Sequence, residues 1–156
     1  MKLTVIAVGN RMPAWIQQGW QTYARRLPKS YALTLKEVKA EPRNASKSTA
    51  QIMQAEALRI HAALPKNVIT IVLDERGDRL TTAQIAHQLK TWHDDNQNIA
   101  FLIGGPDGLA PTLKQHAQRQ WRLSSLTLAH PLARIILIEQ LYRAWTILHN
   151  HPYHRV

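Results

Sequence analysis

Cysteine is absent from the 156 residues, and acidic residues are half as numerous as basic ones. Without cysteine the chain has no disulfide framework, no thiolate metal site and no cysteine nucleophile, which fits a reducing compartment. No apolar run approaches the roughly 20 residues that a membrane-spanning helix needs, so we expect a cytoplasmic protein without a membrane partner. The length suits one domain, and we assign residues 1–156 to it.

The excess of basic residues gives a formal net charge of +10, concentrated toward the two ends of the chain. Residues 1–48 carry nine Lys or Arg against two acids, and residues 111–156 carry six against one. A basic domain of this size suggests a polyanionic partner, above all a nucleic acid. A basic surface without such a partner explains the charge equally well, so the charge alone does not decide.

Strand-like and helix-like segments alternate along the chain. Runs of β-branched and apolar residues predict strands, and apolar residues at helical spacing predict helices. The predicted strands are 3–8, 32–38, 68–73, 99–103 and 121–128. The predicted helices are 13–27, 49–64, 110–120 and 130–150. A further helix begins after a threonine cap at 81 or 82 and ends near 94, and a charged turn is predicted at 74–79. This alternation predicts an α/β fold with a mainly parallel sheet and flanking helices.

Three of the predicted strand ends contain the residues best suited to binding. They are Leu73–Gly77, Ile103–Gly108 and Leu123–Leu128. Ligands of open parallel sheets bind outside the carboxyl ends of the strands. If these three strands are neighbours, their loops therefore frame one crevice.

The stretch Phe-Leu-Ile-Gly-Gly-Pro-Asp-Gly at 101–108 holds three of the six glycines. It lacks the lysine of a phosphate-binding loop and the Gly-x-Gly-x-x-Gly spacing of a dinucleotide site. Asp107 would repel a phosphate, and Pro106 removes a main-chain donor. Pro-Asp-Gly fits a type I turn, whereas Gly104 and Gly105 predict that a neutral or cationic ligand approaches the main chain closely.

The last predicted helix is apolar on nearly all sides, with a narrow polar stripe at Glu139, Arg143 and Thr146. Such a helix is buried on more than one side. In a chain of this length we expect a second subunit to cover it, which predicts a homodimer. A central core helix in a monomer is the alternative.

The tail at 151–155 combines two imidazoles, a phenol and a guanidinium. This combination suits a nucleobase, since it offers stacking, hydrogen bonding and a phosphate contact. Terminal residues are also often disordered. The histidines at 149 and 151 lack the i, i+4 spacing that places two metal ligands on one helix face, so we predict no metal site.

Three segments together resemble the bacterial 23S rRNA pseudouridine methyltransferases, the smallest type of the SPOUT class. They are residues 101–108, Leu-Ser-Ser-Leu-Thr-Leu-Ala-His-Pro-Leu-Ala-Arg-Ile-Ile-Leu-Ile-Glu-Gln-Leu-Tyr-Arg-Ala at 123–144, and Pro-Tyr-His at 152–154. The similarity spans the whole chain. It implies a SPOUT-type fold with a C-terminal trefoil knot, a homodimer, and methylation of ring nitrogen 3 of a pseudouridine in a 23S rRNA hairpin of the assembled ribosome.

The resemblance also implies S-adenosylmethionine as the methyl donor, bound mostly through main-chain groups, and no metal. By match to the family pattern, its site contains Leu73, Gly104, Gly105, Leu123, Ser124, Ser125, Leu126, Thr127 and Leu128. The candidates for taking the proton of the ring nitrogen are His130, Tyr142, Tyr153 and His154, and Arg155 is a candidate for stabilising the anionic base or holding a phosphate. We expect the tail to close over the site, on the partner's cofactor, and the identity of the general base stays open.

Two other functions remain open at this point. One is a basic dimer that binds RNA or the ribosome without catalysis, which the charge alone would satisfy. The other is a nucleotide-binding α/β enzyme that uses the same strand ends.

Overall fold

The computed structural model describes residues 1–154, which form one five-stranded sheet with helices on both faces. The strands are β1 (Leu3–Val8), β2 (Thr34–Val38), β3 (Ile69–Arg79), β4 (Ile99–Ile103) and β5 (Arg119–Arg122). Their order in the sheet is β2-β1-β4-β3-β5, and all four pairings are parallel. The predicted α/β fold is therefore confirmed, and the carboxyl ends of all strands lie at one edge.

Five α-helices connect the strands. They are α1 (Ala14–Ala24), α2 (Thr49–Ala63), α3 (Thr82–Asp94), α4 (Pro111–His116) and α5 (His130–Leu148), with a short 3-10 helix at Lys29–Tyr31. Both α2 and α3 begin with a capping box, in which Ser48 and Thr81 exchange hydrogen bonds with the glutamine three residues later. None of the helices within residues 1–154 is both long and apolar enough to cross a membrane.

Alternation along the strands divides the core between the two faces of the sheet. On β1, Leu3, Val5 and Ala7 face the larger core with α1, α3 and α5, whereas Ile6 and Val8 face a smaller core beneath α2. The larger core contains three aromatic rings in mutual contact, Trp92, Phe101 and Trp121.

The charged segment 74–79 is not the turn that we predicted. Leu73 and Asp78 both pair with Trp121 of β5, so β3 continues to Arg79 and residues 74–77 form a bulge. A Cβ at Gly77 would lie 2.6 Å from the main-chain carbon of Trp121, so only glycine allows β5 to approach this closely. The charges misled the prediction because this part of β3 extends beyond its pairing with β4 and pairs with β5 alone, which tolerates polar residues.

The predictions for residues 110–128 were also wrong in their bounds. The helix ends at His116, and β5 occupies Arg119–Arg122, which the prediction had divided between a helix and a strand. The apolar stretch 123–128 is a loop rather than a strand, and its Leu126 side chain is 74% exposed. Apolar composition predicts burial, but here it belongs to a segment that borders a cavity.

The last helix, α5, packs between α1 and α3 within one chain. Gly19 permits close contact with α1, because a Cβ there would lie 3.0 Å from Ile135 Cδ1. Helices of its own chain thus cover much of the apolar surface of α5. Trp15 on α1 and Leu132 on α5 remain exposed large apolar side chains. The trefoil knot stays a prediction, since strand order does not define which segment the chain threads.

Candidate active site

The carboxyl ends of β3 and β4 and the loop after β5 enclose a cavity of about 530 Å³. These strands are neighbours in the sheet, as the crevice hypothesis required. Its lining includes eight of the nine predicted cofactor-binding residues, namely Leu73, Gly104, Gly105, Leu123, Ser124, Leu126, Thr127 and Leu128. Ser125 is exposed and is not among the lining residues. The volume is within the range of small-molecule sites, roughly 300–1,000 Å³.

The glycine loop, residues Gly104–Gly108, is a tight turn. The Gly108 N–H donates to the Gly105 carbonyl at 2.9 Å, which is the hydrogen bond of a four-residue turn with Pro106 and Asp107 in its centre. Gly108 has φ +83°, a conformation that glycine adopts without strain. The predicted turn at Pro-Asp-Gly is therefore present.

The two glycines that precede the turn are required for a reason that the sequence did not reveal. A Cβ at Gly104 would lie 2.6 Å from the main-chain carbon of Gly108. A Cβ at Gly105 would lie 3.2 Å from Val8 Cγ1 and 3.4 Å from Glu56 Oε1. The missing side chains thus point into the protein. The loop presents its main chain to the cavity because it folds tightly upon itself and upon β1 and α2.

Two ion pairs lie where the cavity meets its flanking segments. Arg43, on the loop before α2, donates to Asp107 at 2.7 Å, and Lys114 on α4 lies 3.3 Å from Asp74. Both acids and Lys114 line the cavity. The charge of Asp107 that argued against a phosphate is thereby partly compensated. Asp74 directly follows a buried apolar run, which is the sequence signal by which it could have been found.

The third wall, the loop Leu123–Ala129, is held by local main-chain contacts. The Leu126 N–H donates to Ser124 Oγ at 2.9 Å, so the serine hydroxyl fixes the turn that precedes α5. Leu126, Thr127 and Leu128 then follow the cavity to the start of the helix. Three leucines and an alanine line this wall together with two residues that carry a hydroxyl, Ser124 and Thr127.

His130, the first residue of α5, also lines the cavity. Its Nδ1 atom is buried and has no hydrogen-bond partner among residues 1–154. Burial, followed by the positive charges of Arg134 and Arg43, lowers the pKa of His130. The imidazole is therefore neutral at neutral pH and is able to accept a proton.

Arg134, one helical turn after His130, fixes the start of α5 to the end of β1. Its side chain is 1% exposed and donates to the main-chain oxygens of Val8 (3.2 Å) and Gly9 (2.7 Å) and to Glu37 (2.5 Å). The sequence analysis missed this residue. An arginine four residues after His130, within the apolar stretch 131–138, was the available signal.

The remaining predicted catalytic residues lie at the other end of α5. Tyr142 is 4% exposed, and its ring centroid lies 4.6 Å from that of Tyr153. His154 Nδ1 lies 3.2 Å from Thr146 Oγ1. Twelve residues of helix separate His130 from Tyr142, which is about 18 Å. The structure therefore does not bring Tyr142, Tyr153 and His154 to the cavity of their own chain.

A polar cluster that the sequence analysis missed holds the tail in this position. Glu139 Oε1 accepts from the Tyr153 hydroxyl at 2.9 Å and from Arg143 Nε at 2.8 Å, and the Arg143 guanidinium lies over the Tyr153 ring at 4.9 Å. Burial and the hydrogen bond to Glu139 raise the pKa of Tyr153, so in this packing the phenol stays protonated. Arg155 lies outside the described residues.

The part of the chain from 1 to 154 contains no group of three or more side chains able to hold a metal ion.

Comparison with known proteins gives a consistent result over the full length. Residues 1–154 match the family described as predicted SPOUT methyltransferase. The chain is 56% identical over 155 residues to the ribosomal RNA large subunit methyltransferase H of Bordetella petrii, with 99% of each chain covered. It is 53% identical over 156 residues to the protein of the same name from Ralstonia pickettii, with both chains covered in full.

Among solved structures, a probable methylase family protein from Haemophilus influenzae has a similar fold. The TM-score is 0.57 at 11% sequence identity, and the match covers 99% of this chain and 70% of that one. At this identity the similarity concerns the fold alone.

Proposed function

Because this chain belongs to the SPOUT methyltransferase family, we propose that it methylates ring nitrogen 3 of a pseudouridine in 23S rRNA, with S-adenosylmethionine as methyl donor. The observation that carries the proposal is the cavity at the carboxyl ends of β3 and β4, in a chain that matches rRNA methyltransferases over its full length. The net charge of +10 suits a ribosomal substrate, which is cytoplasmic.

The lining of the cavity fits such a donor. S-adenosylmethionine supplies an electrophilic methyl group on a cationic sulfonium, and its amino-acid end carries both an ammonium and a carboxylate. The glycine loop offers main-chain groups without a lysine, and Asp74 and Asp107 offer negative charge. Lys114, the partner of Asp74, also lines the cavity and is a cation there that suits the carboxylate of the donor.

Methyl transfer requires that the C–S bond breaks as a C–N bond forms, with the electron pair of the old bond staying on sulfur. The reacting atoms must lie in line, so positioning by the cavity provides much of the rate enhancement. The ring nitrogen also loses its proton. Within one subunit, His130 is the predicted candidate that lines the cavity, and its lowered pKa leaves it neutral and able to take this proton.

The tail supports a homodimer with shared sites. Tyr153 and His154 are anchored at the end of α5 that is far from the cavity of their own chain. In the proposed dimer they reach the cavity of the partner, where they contact the nucleobase. Trp15 and Leu132, exposed on adjoining helices, provide apolar surface for the interface.

The activity is tested with labelled S-adenosylmethionine and ribosomes from a strain that lacks the gene. We expect one labelled pseudouridine in 23S rRNA. Binding of ribosomes without label would favour a basic RNA-binding dimer without catalysis. Tighter binding of ATP than of S-adenosylmethionine in calorimetry would favour a nucleotide-binding enzyme and contradict the cavity assignment.

The shared site is tested by mixing two inactive proteins. One lacks residues 151–156, and the other carries Gly104→Val in the glycine loop. Deletion of the tail should abolish transfer while cofactor binding and dimerisation persist. Mixed dimers should regain activity, because each contains one intact cavity that faces one intact tail. Full activity of the deletion variant would remove the tail from the site, and mixed dimers without activity would contradict sharing.

A further inference from the structure

Glu56 is a buried acid directly behind the glycine loop. It lies on the inner side of α2 and is 2% exposed. Oε2 accepts the main-chain N–H of Glu41 at 3.1 Å, whereas Oε1 is buried without a hydrogen-bond partner among residues 1–154. Glutamate is almost never fully buried unless it is paired, so its presence here calls for a specific explanation.

Three cations on the same loop and helix are engaged elsewhere. Lys47 and Arg59 both pair with the carboxylate of Glu41, and Arg43 pairs with Asp107. Glu56 itself forms no ion pair with any residue from 1 to 154. An ionised carboxylate in this position would therefore contact no cation directly within the described part of the chain, although Lys47 and Arg59 lie nearby on Glu41. Burial reduces screening by water and lengthens the reach of its field.

Only the main chain of the glycine loop separates this carboxyl group from the cavity. A Cβ at Gly105 would lie 3.4 Å from Oε1 and 3.5 Å from Oε2 of Glu56, and Gly105 lines the cavity with its main chain. Both distances correspond to ordinary van der Waals contact, so the carboxyl group lies directly against the main chain of the loop. A charge on Glu56 is therefore close to any ligand that the loop binds.

We propose that Glu56 makes the cavity selective for a cationic ligand, so that it favours the sulfonium methyl donor over the neutral thioether product. The inference rests on the proposed function, and it concerns a residue that touches neither ligand nor substrate. When the methyl group leaves, the sulfonium becomes a neutral thioether and the attraction to Glu56 is lost. The same charge that favours binding of the donor therefore favours exchange of the spent product for a new donor.

The test compares the Glu56→Gln variant with the wild type by calorimetry. Glutamine keeps the shape and an oxygen that accepts the Glu41 N–H, and it removes the charge. The ligands are S-adenosylmethionine, its neutral product S-adenosylhomocysteine, and sinefungin, in which a carbon bearing a protonated amine replaces the sulfonium. We expect roughly tenfold weaker binding of the two cationic ligands and a change of less than about twofold for the neutral product.

Asp94→Asn is the matched control, because it removes one negative charge at an exposed position at the end of α3. It should leave all three affinities unchanged. Equal weakening of all three ligands by Glu56→Gln would assign Glu56 to loop structure alone and overturn the proposal, as would unchanged affinities. Failure of the wild type to bind S-adenosylmethionine would instead contradict the proposed function itself, and the selectivity with it.

Thermal unfolding adds a readout that does not depend on a ligand. A buried charge without a partner costs folding free energy, so its removal in Glu56→Gln should raise Tm of the ligand-free protein. A residue that merely braces the loop would give a lower Tm on substitution. Higher stability together with lost selectivity is the combination that the proposal requires, and a lowered Tm with selectivity retained contradicts it.

Discussion

The ring of Tyr153 packs on the ring of Tyr142 with a centroid distance of 4.6 Å, so the tail is folded back onto the helix that precedes it. The Tyr153 hydroxyl donates to Glu139 at the same place. This contact holds the tail at the end of α5 remote from the cavity of its own chain. In this packing the described part of the tail does not reach the cavity of its own chain.

Replacing Tyr153 by phenylalanine should loosen the tail without removing its ring packing. The lost hydrogen bond to the Glu139 carboxylate is worth about 1 kcal/mol at this partly exposed position. We expect faster proteolytic cleavage near residue 150, measured by mass spectrometry of timed digests, and unchanged affinity for the cofactor. Tyr31→Phe, in the short 3-10 helix, serves as the matched control, because its ring lies beside His93 of α3 rather than beside the tail. Equal cleavage rates would show that the hydroxyl does not anchor the tail.

Arg134→Met should lower the free energy of unfolding by more than the loss of an exposed salt bridge would. Methionine retains much of the volume but leaves the carbonyls of Val8 and Gly9 without their donor. We expect a loss of about 2–4 kcal/mol in the free energy of unfolding, measured with urea. Glu37→Gln keeps an oxygen that accepts from Arg134 but removes the counter-charge of a buried guanidinium, so it should cost less than Arg134→Met, about 1–2 kcal/mol. Similar losses for both variants would mean that the ion pair dominates.

The lowered pKa of His130 predicts a dependence of stability on pH. Its folded-state pKa lies below its unfolded value, so the unfolded chain binds the proton more readily. This contribution to stability is present above the unfolded pKa of about 6.5 and is lost as pH falls through that value toward the folded pKa. His130→Asn should therefore lose less stability than the wild type between pH 7.5 and 5.5, as measured by urea midpoints. Parallel pH profiles would contradict the shift.

Gly104→Ala should damage the cavity although the added methyl group does not enter it. The new Cβ would meet the main chain of Gly108 at 2.6 Å, so the turn must open. We expect a loss of stability of about 2 kcal/mol or more and at least tenfold weaker cofactor binding. Gly19→Ala is the control, because its Cβ meets only the movable end of Ile135. A normal cofactor affinity in Gly104→Ala would show that the turn can open without effect on the site.

Much of the architecture could be predicted because its pattern is local. β1 and β4 have the predicted bounds, since continuous apolar runs of five or six residues indicate buried parallel strands. The sequence analysis left the cap of α3 open between residues 81 and 82, and the structure assigns it to Thr81, whose capping-box partner is the glutamine three residues later. The prediction of a strand at 123–128 was wrong because the leucines of this segment border a cavity rather than a core. No local sequence pattern distinguishes leucines that border a cavity from leucines in a core.

The sequence by itself determined the α/β class, the basic charge and the turn in the glycine loop, because each depends on composition or on residues a few positions apart. Only the tertiary structure decided that Glu56 lies behind Gly105, that Arg134 reaches the end of β1, and that Tyr153 lies outside the cavity of its own chain. Those relationships join residues dozens of positions apart. They follow from the order of strands in the sheet and the direction of α5, which a single sequence does not encode in any local pattern.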